Sequence, residues 1–443
     1  MNIVIIILTS ILCIFCYRQD TCVYNPAGVY SLFWLMMMIL ASFQFYDIYA
    51  ISDETYMLSV LSVCSFIVGY HLRKIIRFTS DENDQIKSRP SEINIKRYYI
   101  LLVTCLVSVW QNYVLIGVVY SQGLNIGAAY QLMARAVTGQ AEELADIYTD
   151  IGSQVQQYIG YPLLYLLIPI SILLYYKTLK KRYVLIVLLL FLIRFLADFK
   201  RTILVFIILF FAFYAVLLRK KIMVMARENP LVKRKLKYLS VALSALLLLT
   251  FVIISAFRSD EVGESYSVFQ NFYYYYIGCF KLLDIRVEEW DLLNIDHTLG
   301  FTTFRGVIAP FFAGLKLLTG VDASGVFADA TYLVNSLHNY VVYISSGHLY
   351  NTYTTNIFQF YCDGGLLGVC VLSMIYGWIS SAYYKKYREI GDVRSIFNFG
   401  YFFCIFILFT NMHINSIVIC YVWPLILERF IFKKISDVNM KNK

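Results

Sequence analysis

Four cationic side chains lie in or beside apolar segments in which basic residues are otherwise scarce. Lys200 and Arg201 are adjacent between two apolar runs, Arg258 follows another run, and Arg305 lies inside an apolar stretch. A cation near hydrocarbon is costly and is usually paired or functional. Because Arg can bind phosphate through two parallel N–H bonds, the set predicts a site for a lipid-borne phosphate or diphosphate. The alternative is that each cation pairs with a nearby carboxylate.

Two further arginines have a carboxylate within reach along the chain. Arg194 lies one helical turn before Asp198, and an i,i+4 pair between them would neutralise both charges. Arg135 lies in the acidic segment 120–158. We include Arg135 among the candidates for binding the diphosphate.

Three histidines, His297, His338 and His348, lie between apolar runs in the second half of the chain. Imidazole titrates near neutral pH and can accept a proton from a sugar hydroxyl. We take His348 as the first candidate for a catalytic base and His338 as the second, with the carboxylates of Glu289 and Asp296 in reserve. The alternative is that His348 only hydrogen-bonds the loop backbone. The spacing of the histidines matches no metal-binding pattern, so we expect no metal site.

Several motifs of energy-coupled chemistry are absent from the sequence. It contains no P-loop, G-x-G-x-x-G, G-x-S-x-G or D-x-D pattern. Chemistry driven by ATP or by a metal-bound nucleotide sugar is therefore disfavoured, and we expect no cofactor. The energy of a reaction must then arrive with the substrate. A lipid-diphosphate sugar meets this requirement because the diphosphate is a built-in leaving group.

The composition is typical of a membrane protein. Of the 443 residues, 59% are apolar and only 15% are charged, whereas soluble domains average about 25% charged residues. This excludes a soluble enzyme and a disordered chain. The net charge of +9 would suggest a nucleic-acid partner, but the basic residues are sorted into particular loops, and we expect no nucleic acid. The 38 Tyr and 33 Phe favour interfaces and amphipathic clefts.

Eleven apolar runs are long enough to span a membrane, for which about 17–25 residues are needed. They cover residues 2–17, 27–45, 55–72, 98–119, 159–176, 183–198, 201–218, 238–256, 363–384, 396–412 and 416–432. The first run lacks the basic start and cleavage site of a signal peptide, so we expect it to be retained. The sequence therefore predicts an all-α polytopic membrane protein, with a single integral membrane domain over residues 1–443 and about 11 transmembrane helices.

Most basic residues fall in five segments, and these set the orientation. The segments are 73–97, 177–182, 219–237, 385–395 and 433–443. An eleven-span path with the N-terminus outside and the C-terminus inside places all five in the cytoplasm, as the positive-inside rule requires. We therefore expect this orientation of the chain.

The same path leaves two long loops on the outer side of the membrane, 120–158 and 257–362. Within the second loop, residues 301–318 are apolar but include Arg305, Pro310 and Lys316. Such residues are tolerated in a helix that lies in the interface or is shielded by protein. We therefore expect a re-entrant or interfacial helix in the large loop.

Several short motifs, spread over most of the chain, resemble those of the O-antigen polymerase family. They are Asn25-Pro26 with the turn from Asp47 to Thr55, Lys200-Arg201-Thr202, Tyr276-Ile277-Gly278 with Leu283-Asp284, Gly300-Phe301-Thr302-Thr303-Phe304, and Asn351-Thr352-Tyr353-Thr354 leading into Tyr361-Cys362-Asp363-Gly364-Gly365-Leu366-Leu367-Gly368. The last element is the clearest, because it resembles an N-x-Y-T and D-x-G-x-x-G stretch that opens a span in that family.

The resemblance implies a metal-independent membrane glycosyltransferase of the GT-C type. It would move a growing glycan from undecaprenyl diphosphate onto the non-reducing end of a new lipid-linked repeat unit at the periplasmic face of the bacterial inner membrane. The N-terminus and the loops 120–158 and 257–362 would then be periplasmic, and the C-terminus cytoplasmic. Asn351 and Tyr353 would then join the cations in binding substrate. The implied partners are undecaprenyl-diphosphate-linked oligosaccharides, membrane lipids, a chain-length regulator and a flippase.

Two other functions compete with polymerisation. An O-antigen ligase shares the large external loop and a similar G-L-L-G, but it uses a different acceptor. A lipid-linked oligosaccharide flippase, which is a transporter, usually has more spans and short loops, whereas this chain has the long external segment 257–362. The identity and linkage of the sugars cannot be read from the sequence.

Overall fold

The computed structural model describes residues 2–75, 91–121, 152, 155–198, 202–228, 234, 268–321, 325–330, 332, 341–350, 354–411 and 418–434. These residues form two compact units, and each is described by itself. Unit 1 comprises residues 1–88, 266–391 and 405–418, and unit 2 comprises residues 89–265, 392–404 and 419–443.

Helices dominate the described part of the chain. They are α1 Asn2–Gln19, α2 Pro26–Ser42, α3 Asp53–Ile75, α4 Ile95–Ser108, α5 Trp110–Ser121, α6 Tyr161–Thr178, α7 Lys181–Asp198, α8 Thr202–Leu217, α9 Arg219–Glu228, α10 Val268–Leu292, α11 Phe301–Thr319, α12 Asn356–Ile390, α13 Val393–Asn411 and α14 Val418–Ile431. The short strands are β1 Ser91–Ile93, β2 Val342–Tyr343, β3 Leu349–Tyr350 and β4 Phe432–Lys434, which pair antiparallel as β1 with β4 and β2 with β3.

The core of unit 1 is the crossing of α3 and α12, at which two glycines allow the backbones to touch. A Cβ on Gly69 would lie 1.9 Å from the carbonyl oxygen of Met374, and a Cβ on Gly377 would lie 2.0 Å from that of Phe66. Small residues at such crossings permit the close packing that holds membrane helices together. Any larger side chain at either position must push the two helices apart.

Hydroxyl and amide groups link three helices of unit 1 beside this crossing. The hydroxyls of Ser62 and Ser373 are 2.8 Å apart, and the hydroxyl of Tyr30 is 2.8 Å from that of Ser62. The Asn356 amide donates to the Tyr30 oxygen at 3.3 Å. All four side chains are buried, so the network fixes the register of α2, α3 and α12 in an otherwise apolar core.

Unit 2 is built around α6, which is buried along almost its whole length. At one end of the unit, Arg394 binds both carboxylate oxygens of Glu428, at 2.7–3.0 Å. Ser91 donates from its hydroxyl and from its backbone N–H to the carboxylate of Asp392. Together with the β1–β4 pair, these bonds tie the start of α4, the start of α13 and the end of α14.

The described helices agree in type with the predicted spans, and the mostly helical fold is confirmed. Four of them are long and apolar enough to cross a membrane: Asn2–Gln19, Asp53–Arg73, Gln156–Thr178 and Asn356–Ile390. A fifth is added if α4 and α5, which meet at an angle of 51°, form one span. These long apolar helices suggest a membrane-embedded protein.

The structure adds three features to the expected path. Residues 98–119, expected as one span, are divided between α4 and α5. The loop 257–362 contains α10 in addition to the expected helix, which is present as α11. The helix expected from residue 363 begins at Asn356, before a backbone break at Gly364 and Gly365. The expected span 238–256 lies outside the described residues.

Candidate functional site

The backbone of α12 is broken at Gly364 and Gly365, in unit 1. Gly365 has φ +57° and ψ −142°, a conformation that L-residues with a side chain rarely adopt. The loop before α11 closes over the break, because the N–H groups of Thr298 and Leu299 donate to the carbonyl oxygens of Cys362 and Asp363 at 3.0 and 3.1 Å. Carbonyls at the break are thus satisfied by backbone from another part of the chain.

The side chain of Asp363 caps a second helix at the same point. Its two carboxylate oxygens accept the backbone N–H bonds of Thr302 and Thr303, each at 2.9 Å, and the Thr298 hydroxyl donates to it at 2.5 Å. A carboxylate at a helix N-terminus satisfies free N–H groups and favours the helix dipole. Asp363 therefore fixes the start of α11 against the break in α12.

His297 lies over the break with its side chain exposed. Its Nε2 is 3.2 Å from the position that a Cβ on Gly365 would take, so the glycine leaves room for the imidazole. The ring is parallel to that of buried Trp290, with 6.2 Å between centroids. The edge of Tyr361 faces it at 6.4 Å, and the Tyr361 hydroxyl donates to the Asp291 carboxylate at 2.7 Å. The arrangement presents an imidazole, a phenol oxygen and a carboxylate in one place.

Asp284 joins α10 to the turn that precedes α3. It accepts hydrogen bonds from the hydroxyls of Ser52 and Thr55, and Lys281 donates to it at 2.6 Å. Lys281 also donates to the carbonyl oxygen of Ala50 at 2.7 Å. Burial by itself raises the pKa of Asp284, but the bonds from Lys281, Ser52 and Thr55 outweigh it, and the pKa is lowered.

His348, the first predicted base, lies in the β2–β3 hairpin. Its ring stacks on Tyr274 with 4.1 Å between centroids and 9° between planes. Its backbone N–H donates to the Ser345 hydroxyl, and its carbonyl accepts from the N–H of Ile344. The side chain is half-buried. The ring of Tyr274, a residue of α10, thus orients the imidazole of His348.

Of the predicted phosphate-binding residues, Arg305 is half-buried in the first turns of α11. The carboxylate of Glu289, a reserve base, accepts a 2.6 Å bond from buried Arg286, whereas Asp296 is exposed. The remaining predicted site residues lie outside the described residues. They are His338, Lys200, Arg201, Arg258, Arg135, Asn351 and Tyr353.

The sequence pattern does not predict the group around His297 as a unit, although His297 is one of the three histidines between the apolar runs. Trp290, Asp291 and His297 are close together in the sequence before an apolar helix, and this cluster is the local indication of the group. Its fourth member, Gly365, lies far along the chain. In the described residues, no group of three or more His, Cys, Asp or Glu side chains is placed to hold a metal ion. The imidazole of His297, the hydroxyl of Tyr361 and the carboxylate of Asp291 can exchange protons and bind hydroxyl groups.

Comparisons of the chain with known protein families, with curated proteins and with solved structures gave no match.

Proposed function

We propose that this chain is a membrane glycosyltransferase that joins oligosaccharide repeat units carried on undecaprenyl diphosphate, as an O-antigen polymerase does. The proposed topology is the eleven-span path, with a periplasmic N-terminus and the chemistry on the periplasmic side of the bacterial inner membrane. The helices found at most of the predicted spans are compatible with that path.

One observation carries the proposal: segments that bear the family resemblance pack against one another in unit 1. The turn from Asp47 to Thr55 meets the Tyr276–Asp284 segment through the bonds of Asp284 to Ser52 and Thr55. The Gly300–Phe304 segment meets the Tyr361–Gly368 segment through Asp363. Motifs that were scattered along the sequence are thus neighbours, as expected if they serve one site.

The same segments approach the strand that leads into Asn351. The Tyr350 hydroxyl donates to the carbonyl oxygen of Tyr275 at 3.1 Å. A Cβ on Gly278 would lie 2.7 Å from the Tyr350 ring, so Gly278 allows that ring to lie on α10. This contact brings Tyr350, the residue before the N-x-Y-T motif, to the Tyr276-Ile277-Gly278 motif.

In the proposed reaction, an acceptor hydroxyl attacks the anomeric carbon of the lipid-linked glycan, and the bond from that carbon to the diphosphate oxygen breaks. The proton of the hydroxyl passes to a histidine acting as base. Two described histidines are candidates: His348, which Tyr274 orients, and His297, which is exposed beside Tyr361 and Asp291. Arg305 would stabilise charge on the departing diphosphate. The lipid diphosphate carries the donor glycan and is also the leaving group, so the proposed reaction needs neither a metal nor a cofactor.

A lipid-linked oligosaccharide transporter is the second candidate, and the break in α12 favours it. Discontinuous membrane helices line the substrate sites of many transporters, because their free backbone groups can bind polar ligands. The two functions differ in whether a glycosidic bond forms.

The test is a defined reaction with the purified full-length chain in lipid nanodiscs. The substrate is an undecaprenyl-diphosphate-linked repeat unit, and products are released from lipid and separated by length. We expect a ladder of oligomers, and no ladder when the repeat unit is presented on undecaprenyl monophosphate, which is a poorer leaving group. Unchanged monomers with the diphosphate substrate would contradict polymerisation. Movement of that substrate across a liposome bilayer without bond formation would support the transporter.

A further inference from the structure

Two irregular helix segments meet in unit 2. Val109, with φ −100° and ψ 22°, separates α4 from α5, and a π-helical turn, Gln156–Gly160, leads into α6. The Cys105 thiol contacts the carbonyl oxygen of Gly160 at 3.4 Å, so the two irregularities pack together. Both fall in or at the end of predicted membrane spans. π-Turns and broken helices in such positions are frequent at binding sites.

Three polar side chains are bonded to one another at this meeting point. The Gln156 amide donates to the Asn112 carbonyl oxygen at 2.7 Å and to the Tyr161 hydroxyl at 2.5 Å. The Tyr161 hydroxyl is also 3.4 Å from the Asn112 oxygen. Asn112 and Gln156 are 0% and 2% exposed. A polar group withdrawn from water so completely is costly unless its bonds are made.

This network leaves one donor and one acceptor unused. Within the described part of the chain, the Nδ2 of Asn112 and the Oε1 of Gln156 are buried and have no hydrogen-bond partner. Turning both amides over would exchange their roles but would still leave one donor and one acceptor. The buried group is therefore complementary to a ligand that both accepts and donates hydrogen bonds.

A buried cation completes the group. The guanidinium of Arg194, on α7, lies 3.8 Å from the centroid of the Tyr161 ring, and Arg194 is 5% exposed. Tyr161 therefore contacts the amide network through its hydroxyl and the cation through its ring face. An ionisable residue at membrane depth marks a functional site by default. Its charge favours an anionic ligand.

We propose that Asn112, Gln156, Tyr161 and Arg194 form a binding site for a phosphate ester that carries hydroxyl groups. Arg194 and the Asn112 amide bind the phosphate oxygens, and Gln156 accepts a hydrogen bond from a ligand hydroxyl. A lipid headgroup and a soluble polyol phosphate share this chemistry. The site does not depend on the proposed glycosyl transfer, because its residues and its test are separate from that reaction.

The experiment measures binding to the purified full-length chain in a zwitterionic detergent. The probes are phosphatidylglycerol, glycerol 1-phosphate and, as a lipid without hydroxyl groups on its headgroup, phosphatidylcholine. Binding raises the thermal midpoint as probe concentration increases, and the concentration dependence gives Kd. We expect phosphatidylglycerol to bind at least tenfold more tightly than phosphatidylcholine. Arg194→Lys and Asn112→Leu should each weaken phosphatidylglycerol binding at least tenfold, because each removes a bond to the phosphate.

Arg182→Lys is the matched control. Arg182 lies on the same helix, over the ring of Tyr183 at 4.9 Å, but it is exposed, so the substitution should leave Kd unchanged. If Asn112→Leu does not fold, Gln156→Glu gives the same test, because it adds a negative charge to a site that binds an anion.

If glycerol 1-phosphate binds to the wild type and its binding is lost in the same variants, the headgroup alone is sufficient for recognition. Loss of phosphatidylglycerol binding in these variants without glycerol 1-phosphate binding would identify the lipid as the ligand. Equal Kd values for phosphatidylglycerol in the wild type, Arg194→Lys and the amide variant would overturn the proposal.

Discussion

The carboxylate of Asp363 accepts a 2.9 Å hydrogen bond from the backbone N–H of Thr302, a residue 61 positions away in the sequence. One side chain thereby links the break in α12 to the first turn of α11. Because Asp363 is only 5% exposed, water cannot readily replace its bonds. Disturbing this link should affect both helices at once.

Asp363→Asn should lower the stability of unit 1 by about 1–2 kcal/mol. The amide can accept only through its single oxygen, so one helix N–H is left unsatisfied in a buried place. Thermal unfolding of the purified chain, followed by circular dichroism, measures the effect. Asp329→Asn, at an exposed position, is the control and should leave the midpoint unchanged. Equal midpoints for the two variants would show that the cap is dispensable.

Gly377→Ala should destabilise the crossing of α3 and α12 by about 1–3 kcal/mol, the usual cost of overpacking. The added methyl would lie 2.0 Å from the Phe66 carbonyl oxygen, so the helices must move apart. Gly117→Ala is the matched control, because a Cβ there meets nothing within 4 Å and the change favours a helix. The thermal midpoint should fall for Gly377→Ala and stay the same or rise for Gly117→Ala. A midpoint for Gly377→Ala that equals or exceeds that of Gly117→Ala would argue against the close crossing.

Acid should weaken the contact between α10 and the turn before α3. The pKa of Asp284 is lowered in the folded chain, so its contribution to stability is complete above its unfolded pKa of about 3.9. That contribution is lost as the pH falls below this value and through the folded pKa. Asp284→Asn should lower the midpoint at pH 7 and reduce the loss as the pH falls from about 4 to about 2. A variant that loses as much stability as the wild type over that range would contradict the role of Asp284.

Substitution of the two candidate bases should separate their roles. The variant that removes the true base, His297→Gln or His348→Gln, should slow polymerisation by about 10²–10⁴-fold. The other variant should retain most activity, because Gln keeps a donor and an acceptor. The assay is single-turnover transfer in nanodiscs, with substrate binding measured alongside to confirm folding. Near-normal rates in both would direct attention to His338 and to the carboxylates of Glu289 and Asp296.

Reporter fusions test the eleven-span path. A reporter after Lys237 or Lys443 should be cytoplasmic, and one at Asp322 should be periplasmic, because the basic loops remain inside. Alkaline phosphatase is active only outside the cytoplasm, and a fluorescent protein that folds only inside it gives the complementary signal. A cytoplasmic signal at Asp322 would mean that α10 or α11 changes the number of crossings.

Helix type and approximate bounds could be predicted from the sequence because they depend on local hydropathy. The run 27–45 became α2, Pro26–Ser42, and the run 55–72 became α3, Asp53–Ile75. The sequence does not predict α10, because its charged residues lower the local hydropathy to values that are typical of a loop. In the structure, Lys281 pairs with Asp284 and Arg286 with Glu289, each three residues apart, so the charges neutralise one another within the helix.

The candidate site could be predicted only in part, because it depends on contacts between distant segments. The Asp363-Gly364-Gly365 motif was recognised in the sequence, but its partner His297 is more than sixty residues earlier. Nothing local indicates that an imidazole fills the space beside Gly365. His348 was chosen for its proximity to a motif, and its stacking on Tyr274 depends on the β2–β3 hairpin, which is too short to be seen in hydropathy.

The pairing of β1 with β4 has a consequence for biosynthesis. Ile93 is paired with Phe432, and at about 5–20 residues per second the intervening ~340 residues take roughly 20–70 s to synthesise. During that interval the edge of β1 has no β4 to pair with. The end of unit 2 that contains β1 can therefore form only after translation has passed Lys434, whereas α1, α2 and α3 can pack as soon as they have been synthesised. Stalled ribosomes that stop before residue 428 should thus hold an N-terminal segment in which these three helices resist protease and the region around β1 does not.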